Sequence, residues 1–92
     1  MIKGEIVLVD FPFTDYSGSK LRPALVLAEK NEDVLTAFIT TNIGKIDNHD
    51  LLIKADNNNK LRRDSKLRLF RLATLEKKLI KGTIGYLEKI SY

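Results

Sequence analysis

Val34-Leu35-Thr36-Ala37-Phe38-Ile39-Thr40-Thr41 alternates between two sets of side chains. Leu35, Ala37 and Ile39 fall on one side and Thr36, Phe38 and Thr40 on the other, which is the two-residue period of a β-strand. The pattern predicts a core-facing first set and an outward second set. Five further segments read as strands on either side of it: residues 5–10, 24–29, 50–54, 66–72 and 79–86, beside 34–41 itself. Turn residues separate them: Pro12 with Gly18, Asn31-Glu32-Asp33, Gly44 followed by Asp47-Asn48, and Asn57-Asn58-Asn59. Short strands at this spacing predict a mainly β chain folded as an antiparallel barrel or sandwich. Thr74 reads as the N-cap of a short helical turn through Leu75-Glu76-Lys77-Lys78.

Ninety-two residues make one small domain, expected to span 1–92. A chain of this size buries only about 60–65% of its unfolded surface, so dimerisation would add useful stability. An apolar content of 43% beside 30% charged residues is that of a globular domain and argues against disorder. The absence of cysteine excludes a disulfide scaffold and a thiolate metal site, and fits a cytoplasmic protein. The opening run Glu5-Ile6-Val7-Leu8-Val9 lacks the basic region and cleavage site of a signal peptide. No apolar stretch approaches the roughly 20 residues that cross a bilayer.

Sixteen basic residues against 12 acidic ones give a net charge of +4, which favours an anionic partner. Lys60, Arg62, Arg63, Lys66, Arg68 and Arg71 share one short window, opposed there only by Asp64. Such a run also describes an ordinary solvated face. In the fifth strand, Leu67 and Leu69 are expected to point inward. Lys66, Arg68 and Phe70 would then point outward, as a nucleotide platform or as an edge blunted against pairing.

The loop between the first two strands carries the densest chemistry: Phe11-Pro12-Phe13-Thr14-Asp15-Tyr16-Ser17-Gly18-Ser19-Lys20-Leu21-Arg22-Pro23. It mixes aromatic faces, hydroxyls and two cations, which suits gripping a polymer of phosphates and bases. Pro23 holds residue 22 extended, so that the Arg22 guanidinium projects from the junction of loop and strand. A guanidinium matches phosphate geometry and stabilises developing charge, while serving poorly as a base. Thr40, with Thr41 and Asn42 beyond it, offers a hydroxyl at a strand end for a phosphate oxygen or a ribose. Ser17 and Ser19 flank Gly18 and can serve a phosphate or merely a turn. Lys20 adds charge beside them, and Phe13 and Tyr16 are candidates to stack on bases or to anchor a partner protein. His49 stands alone as the one histidine and reads as a loop residue, without the converging ligands that a metal site needs. No Walker loop, nucleophile elbow or HExxH motif is present.

Several of these segments, in order, resemble the PemK/MazF-like toxin family. Gly4 to Phe13 is similar to its opening strand and loop, and Ser17 to Leu27, with Arg22-Pro23, to its most specific motif. Ala37-Phe38-Ile39-Thr40-Thr41 resembles its third-strand signature and Ile84-Gly85-Tyr86-Leu87 its closing strand. The resemblance implies an SH3-like antiparallel β-barrel, a two-fold homodimer and a cognate antitoxin. It also implies cleavage of single-stranded RNA, often mRNA, without a metal or other cofactor, by attack of the ribose 2′-hydroxyl. DNA would be met only indirectly, through the antitoxin. On this resemblance Arg22 and Thr40 take the catalytic positions. Phe13, Ser17, Ser19, Lys20, Thr41, Asn42, Lys66 and Arg68 are the expected RNA contacts. Two departures stand out: Phe70 occupies the position where many relatives carry an aspartate, and the chain stops soon after the last strand where relatives continue into a helix. The alternatives are a catalytically impaired module that binds RNA or antitoxin, and a gyrase inhibitor like the related CcdB toxins.

Overall fold

A computed structural model describes residues 3–12 and 19–87. Its strands are β1 (Glu5–Pro12), β2 (Ser19–Lys30), β3 (Asp33–Thr40), β4 (Asp50–Ile53), β5 (Ser65–Glu76) and β6 (Ile80–Tyr86), with a 3-10 turn at Lys77–Leu79. All neighbours are antiparallel, in one sheet ordered β4-β5-β3-β2-β1-β6. The mainly β expectation holds. The sheet also rolls toward closure, because the connection after β4 packs on β6 at the far edge. There the Tyr86 amide donates to the Asn58 carbonyl at 3.0 Å. Gly85 leaves no room for a side chain, since a Cβ there would lie 2.4 Å from the Asn58 carbonyl oxygen.

Consecutive residues of the central strands feed two apolar clusters, one on each face. Ile6, Leu25, Ala37, Ile39, Ile53 and Leu67 form the first; Val7, Val9, Ala24, Val26 and Val34 form the second. Each fully buried leucine or isoleucine contributes about 1.5–3 kcal/mol, so both faces matter to stability.

The expected outward face of β3 is therefore corrected. Thr36 is fully buried with its hydroxyl donating to the Ala73 carbonyl at 3.0 Å, and Phe38 is half-buried against the second cluster. The cause is a bend in β5. Ala37 pairs with Leu72 but Ile39 pairs with Leu67, so residues 68–71 bulge opposite Phe38 alone. Such a bulge kinks and twists the strand. Leu75, Leu79 and Ile80, beyond the bend, pack against the second cluster.

Two boundaries also move. Thr74 lies inside β5 opposite Leu35 and caps nothing; the helical turn begins at Lys77, and Glu76 before it makes no side-chain cap. A tertiary tie holds the turn instead. The Lys77 amide donates to the Glu32 carbonyl at 2.9 Å, and its ammonium sits 2.7 Å from the Glu29 carboxylate. β2 begins at Ser19, five residues earlier than its apolar run, because the β1 ladder continues through Phe11↔Lys20 to Pro12↔Ser19. Residues 88–92, which follow the last strand, lie outside the described residues.

Candidate functional site

Arg22 and Pro23 sit within β2, not at its entrance, with Val9 and Leu8 of β1 as their partners. On the other side the ladder to β3 ends at Ala24↔Phe38, the residue after the proline. A proline has no N–H to give a neighbouring strand, and this is where β2 and β3 cease to pair. Arg22 lies two residues beyond that last pair on β2, and Thr40 two residues beyond it on β3. Both lie on the face of Ala24 and Phe38. Arg22 is exposed, and its guanidinium has neither ion pair nor hydrogen bond among the described residues. Thr40 is half-buried at the end of β3, where its Oγ1 accepts from the Asn42 amide at 3.2 Å. That bond turns the chain outward, leaving Thr41 and Asn42 exposed beside it. Lys20 is also exposed, near the start of β2, whose first residue is Ser19. Phe13 and Ser17 lie outside the described residues, as does Tyr16.

Lys66 departs from its expected role. It pairs with Thr40 across the β3–β5 ladder but is only 7% exposed. Its ammonium is 3.1 Å from Asp50 Oδ2 and also donates to the Lys45 carbonyl. An ammonium buried to this degree needs partners, and these two neutralise and solvate it. Lys66 therefore fastens the 41–49 connection to β5 instead of presenting a free charge. Asp50 accepts from the Asp47 amide at 3.2 Å as well. Burial opposes its ionisation, but the Asp47 amide, the Lys66 ammonium and the nearby Arg68 charge outweigh this and hold the carboxyl below its ordinary range.

Arg68 lies directly across from Asp50 on the β4–β5 ladder and is half-buried. It makes no hydrogen bond or ion pair of 4 Å or less among the described residues. With Gly44, Lys45, Ile46, Asp47, Asp50 and Lys66 it lines a cleft of about 550 Å³. Beside this cleft His49 meets the Phe70 ring edge to face, with centroids 4.5 Å apart. Phe70 is 75% exposed, a large apolar area left open to solvent. His49 is held by its amide, which donates to Asp47 Oδ1 at 2.7 Å, and by its carbonyl, which accepts from the Leu69 amide. As expected it belongs to a turn. The contribution of Asp50 was missed because it depends on cross-strand register, and nothing in the local sequence around Asp50 announces it.

No three His, Cys, Asp or Glu side chains among the described residues group closely enough to hold a metal ion. Nor is any helix among them long and apolar enough to cross a membrane. No curated protein matches the chain at a significant level. Among protein families, residues 2–92 match the one described as PemK-like, MazF-like toxin of type II toxin–antitoxin system. That match spans nearly the whole chain and takes in the strand carrying Arg22, the strand end carrying Thr40 and the cleft beside them. The chain belongs to the PemK-like, MazF-like toxins of type II toxin–antitoxin systems.

Proposed function

We propose that this toxin is an endoribonuclease that cleaves single-stranded RNA at the Arg22–Thr40 row. The observation that carries the reading is an exposed guanidinium without a partner among the described residues, two residues past the last β2–β3 pair, with the half-buried Thr40 hydroxyl two residues past it on β3. A cation left unpaired in this setting is available to a phosphodiester. In the reaction the ribose 2′-oxygen bonds to phosphorus and the bond to the 5′-oxygen of the next nucleotide breaks. The 2′-hydroxyl proton is lost and the departing 5′-oxygen gains one, leaving a 2′,3′-cyclic phosphate. Arg22 stabilises the charge that develops on the phosphoryl oxygens or donates toward the leaving oxygen. Thr40 positions the phosphate or ribose. Lys20, Thr41 and Asn42 border the same row and would guide the strand, while Arg68 would contact it further along.

The proposed setting is the cytoplasm, with mRNA as the target. A type II toxin is paired with an antitoxin, and an acidic, extended antitoxin segment would complement the +4 charge of this chain. A homodimer would cover exposed apolar residues such as Leu21 and Leu72.

Purified protein is expected to cut single-stranded RNA in EDTA. Replacing Arg22 by alanine should slow this about 100- to 1000-fold, the loss typical of removing one charge-stabilising donor. Deoxyribose at the cut position should block the reaction, because the attacking oxygen is gone. Continued cutting of the deoxy substrate would exclude the mechanism. Tight, salt-sensitive binding with no cutting would mark a binding module instead, and inhibition in a supercoiling assay would mark a gyrase inhibitor.

A further inference from the structure

The cleft between residues 44–50 and β5 has a wall of mixed charge. Lys66 and Asp50 neutralise one another inside it. What remains toward solvent is Arg68 and Lys45, neither with an ion pair among the described residues, and Asp47, whose side chain is 68% exposed. Lys45, Lys66 and Arg68 share this wall with Asp47 and Asp50, and a phosphodiester, which only accepts hydrogen bonds, cannot use its carboxylates. A donor and an acceptor facing the same space are a good environment for the edge of a nucleobase. The cleft volume of about 550 Å³ suits a single base with its sugar. Next to it stands Phe70, 75% exposed, its ring perpendicular to that of His49 with centroids 4.5 Å apart. Stacking on such a ring is the usual way in which proteins hold an unpaired base.

From this juxtaposition we infer that the cleft is a base-reading subsite, in which one nucleobase of the bound RNA stacks on Phe70 and presents its edge to Arg68 and Asp47. Guanine is the base that answers both charges. Its O6 and N7 accept from a guanidinium, and its N1–H and N2–H₂ donate to a carboxylate. The subsite borders the reacting row, since Lys66 in its wall is the ladder partner of Thr40. The nucleotide read is thus close to the scissile phosphate. This deepens the endoribonuclease proposal and rests on RNA being the ligand.

The test separates binding from cleavage. Labelled protein is titrated with 2′-O-methyl pentanucleotides that are uridine except for a central guanosine, adenosine, cytidine or uridine. The guanosine chain is expected to bind most tightly and to move the amide signals of residues 44–50 and 66–70. Phe70→Ala should weaken that binding about tenfold or more. Asp47→Asn should shrink the advantage of guanosine over the other three bases, with circular dichroism confirming that both variants fold. Four chains that bind alike, or signal changes that avoid both segments, would overturn the subsite. So would variants that bind and discriminate as the wild type does. Selective binding at the cleft with no cutting of the all-ribose chains would support the subsite while refuting the nuclease reading.

Discussion

The two connections that flank β4 are made of similar residues and do opposite things. Residues 41–49 and 54–64 are both polar, turn-forming stretches. The first is exposed throughout and forms one wall of the cleft. The second folds on itself around Asn59, which is 1% exposed. The Asn59 side-chain amide donates to the Lys54 carbonyl at 2.8 Å, and its oxygen accepts from the amides of Asp56 and Leu61. Asp56 Oδ1 accepts in turn from the amides of Asn58 and Asn59. One connection therefore spends its polar groups internally and closes the sheet onto β6. The other buries no side chain of its own, and Asp47, although it accepts from the His49 amide, stays 68% open to solvent. The difference lies in hydrogen-bond bookkeeping, not composition.

The contrast is sharpest at Gly85, where the closing connection meets β6. Gly85→Ala would drive a Cβ against the backbone of Asn58 and Asn59, at 2.4–2.6 Å. Backbone atoms at that distance must move, so the loss is expected near the top of the overpacking range, about 3 kcal/mol. A thermal melt should fall by about 15 °C. An unchanged melt would mean that the sheet does not close through this contact.

Asn59→Ala should cost about 2 kcal/mol, because it strands the Lys54 carbonyl and two amides in a partly buried loop. The same change in the open connection, Asn48→Ala, should stay within about 0.5 kcal/mol. Equal losses from the two substitutions in urea unfolding would dissolve the distinction drawn between the connections.

Acid should loosen the anchor of the open connection. The folded carboxyls of Asp50 and Glu29 are both held below their ordinary values. For Asp50 burial opposes this but is outweighed by the Asp47 amide and Lys66; for Glu29 the Lys77 hydrogen bond is the chief cause. Each contribution is complete above the unfolded carboxyl value near 4 and is lost as pH falls through the lower folded value. Stability should therefore decline as pH drops below about 4. Lys66→Met is expected to flatten part of that decline, as measured by denaturant midpoints across the acid range. A parallel decline in the variant would detach Asp50 from the effect.

Phe70→Ala is expected to change stability by less than about 0.5 kcal/mol, since the ring is 75% exposed and its ring contact is a single T-shaped one with His49. A large loss would move Phe70 from the site into the structural half of the comparison.

The strands and their order of appearance were legible because alternation and turn residues are local signals. The extended backbone at Arg22 was legible for a related reason: a proline after any residue constrains the backbone wherever the pair occurs. The second apolar face was not. Thr36 and Phe38 look like an outward face until the β5 bulge brings Leu75, Leu79 and Ile80 across them. Lys66 was misjudged in the same way. Its alternation with Leu67 holds, but Asp50, which buries its charge, comes from a different strand.

By itself the chain specified a mainly β fold with a cation held extended beside a proline, since period, turn chemistry and proline stereochemistry act within a few residues. Only the tertiary structure decided which cations remain unpaired, where β2 parts from β3, and which polar loop seals the sheet. Those outcomes depend on register between strands distant in sequence, where a shift of one residue exchanges the buried and exposed faces.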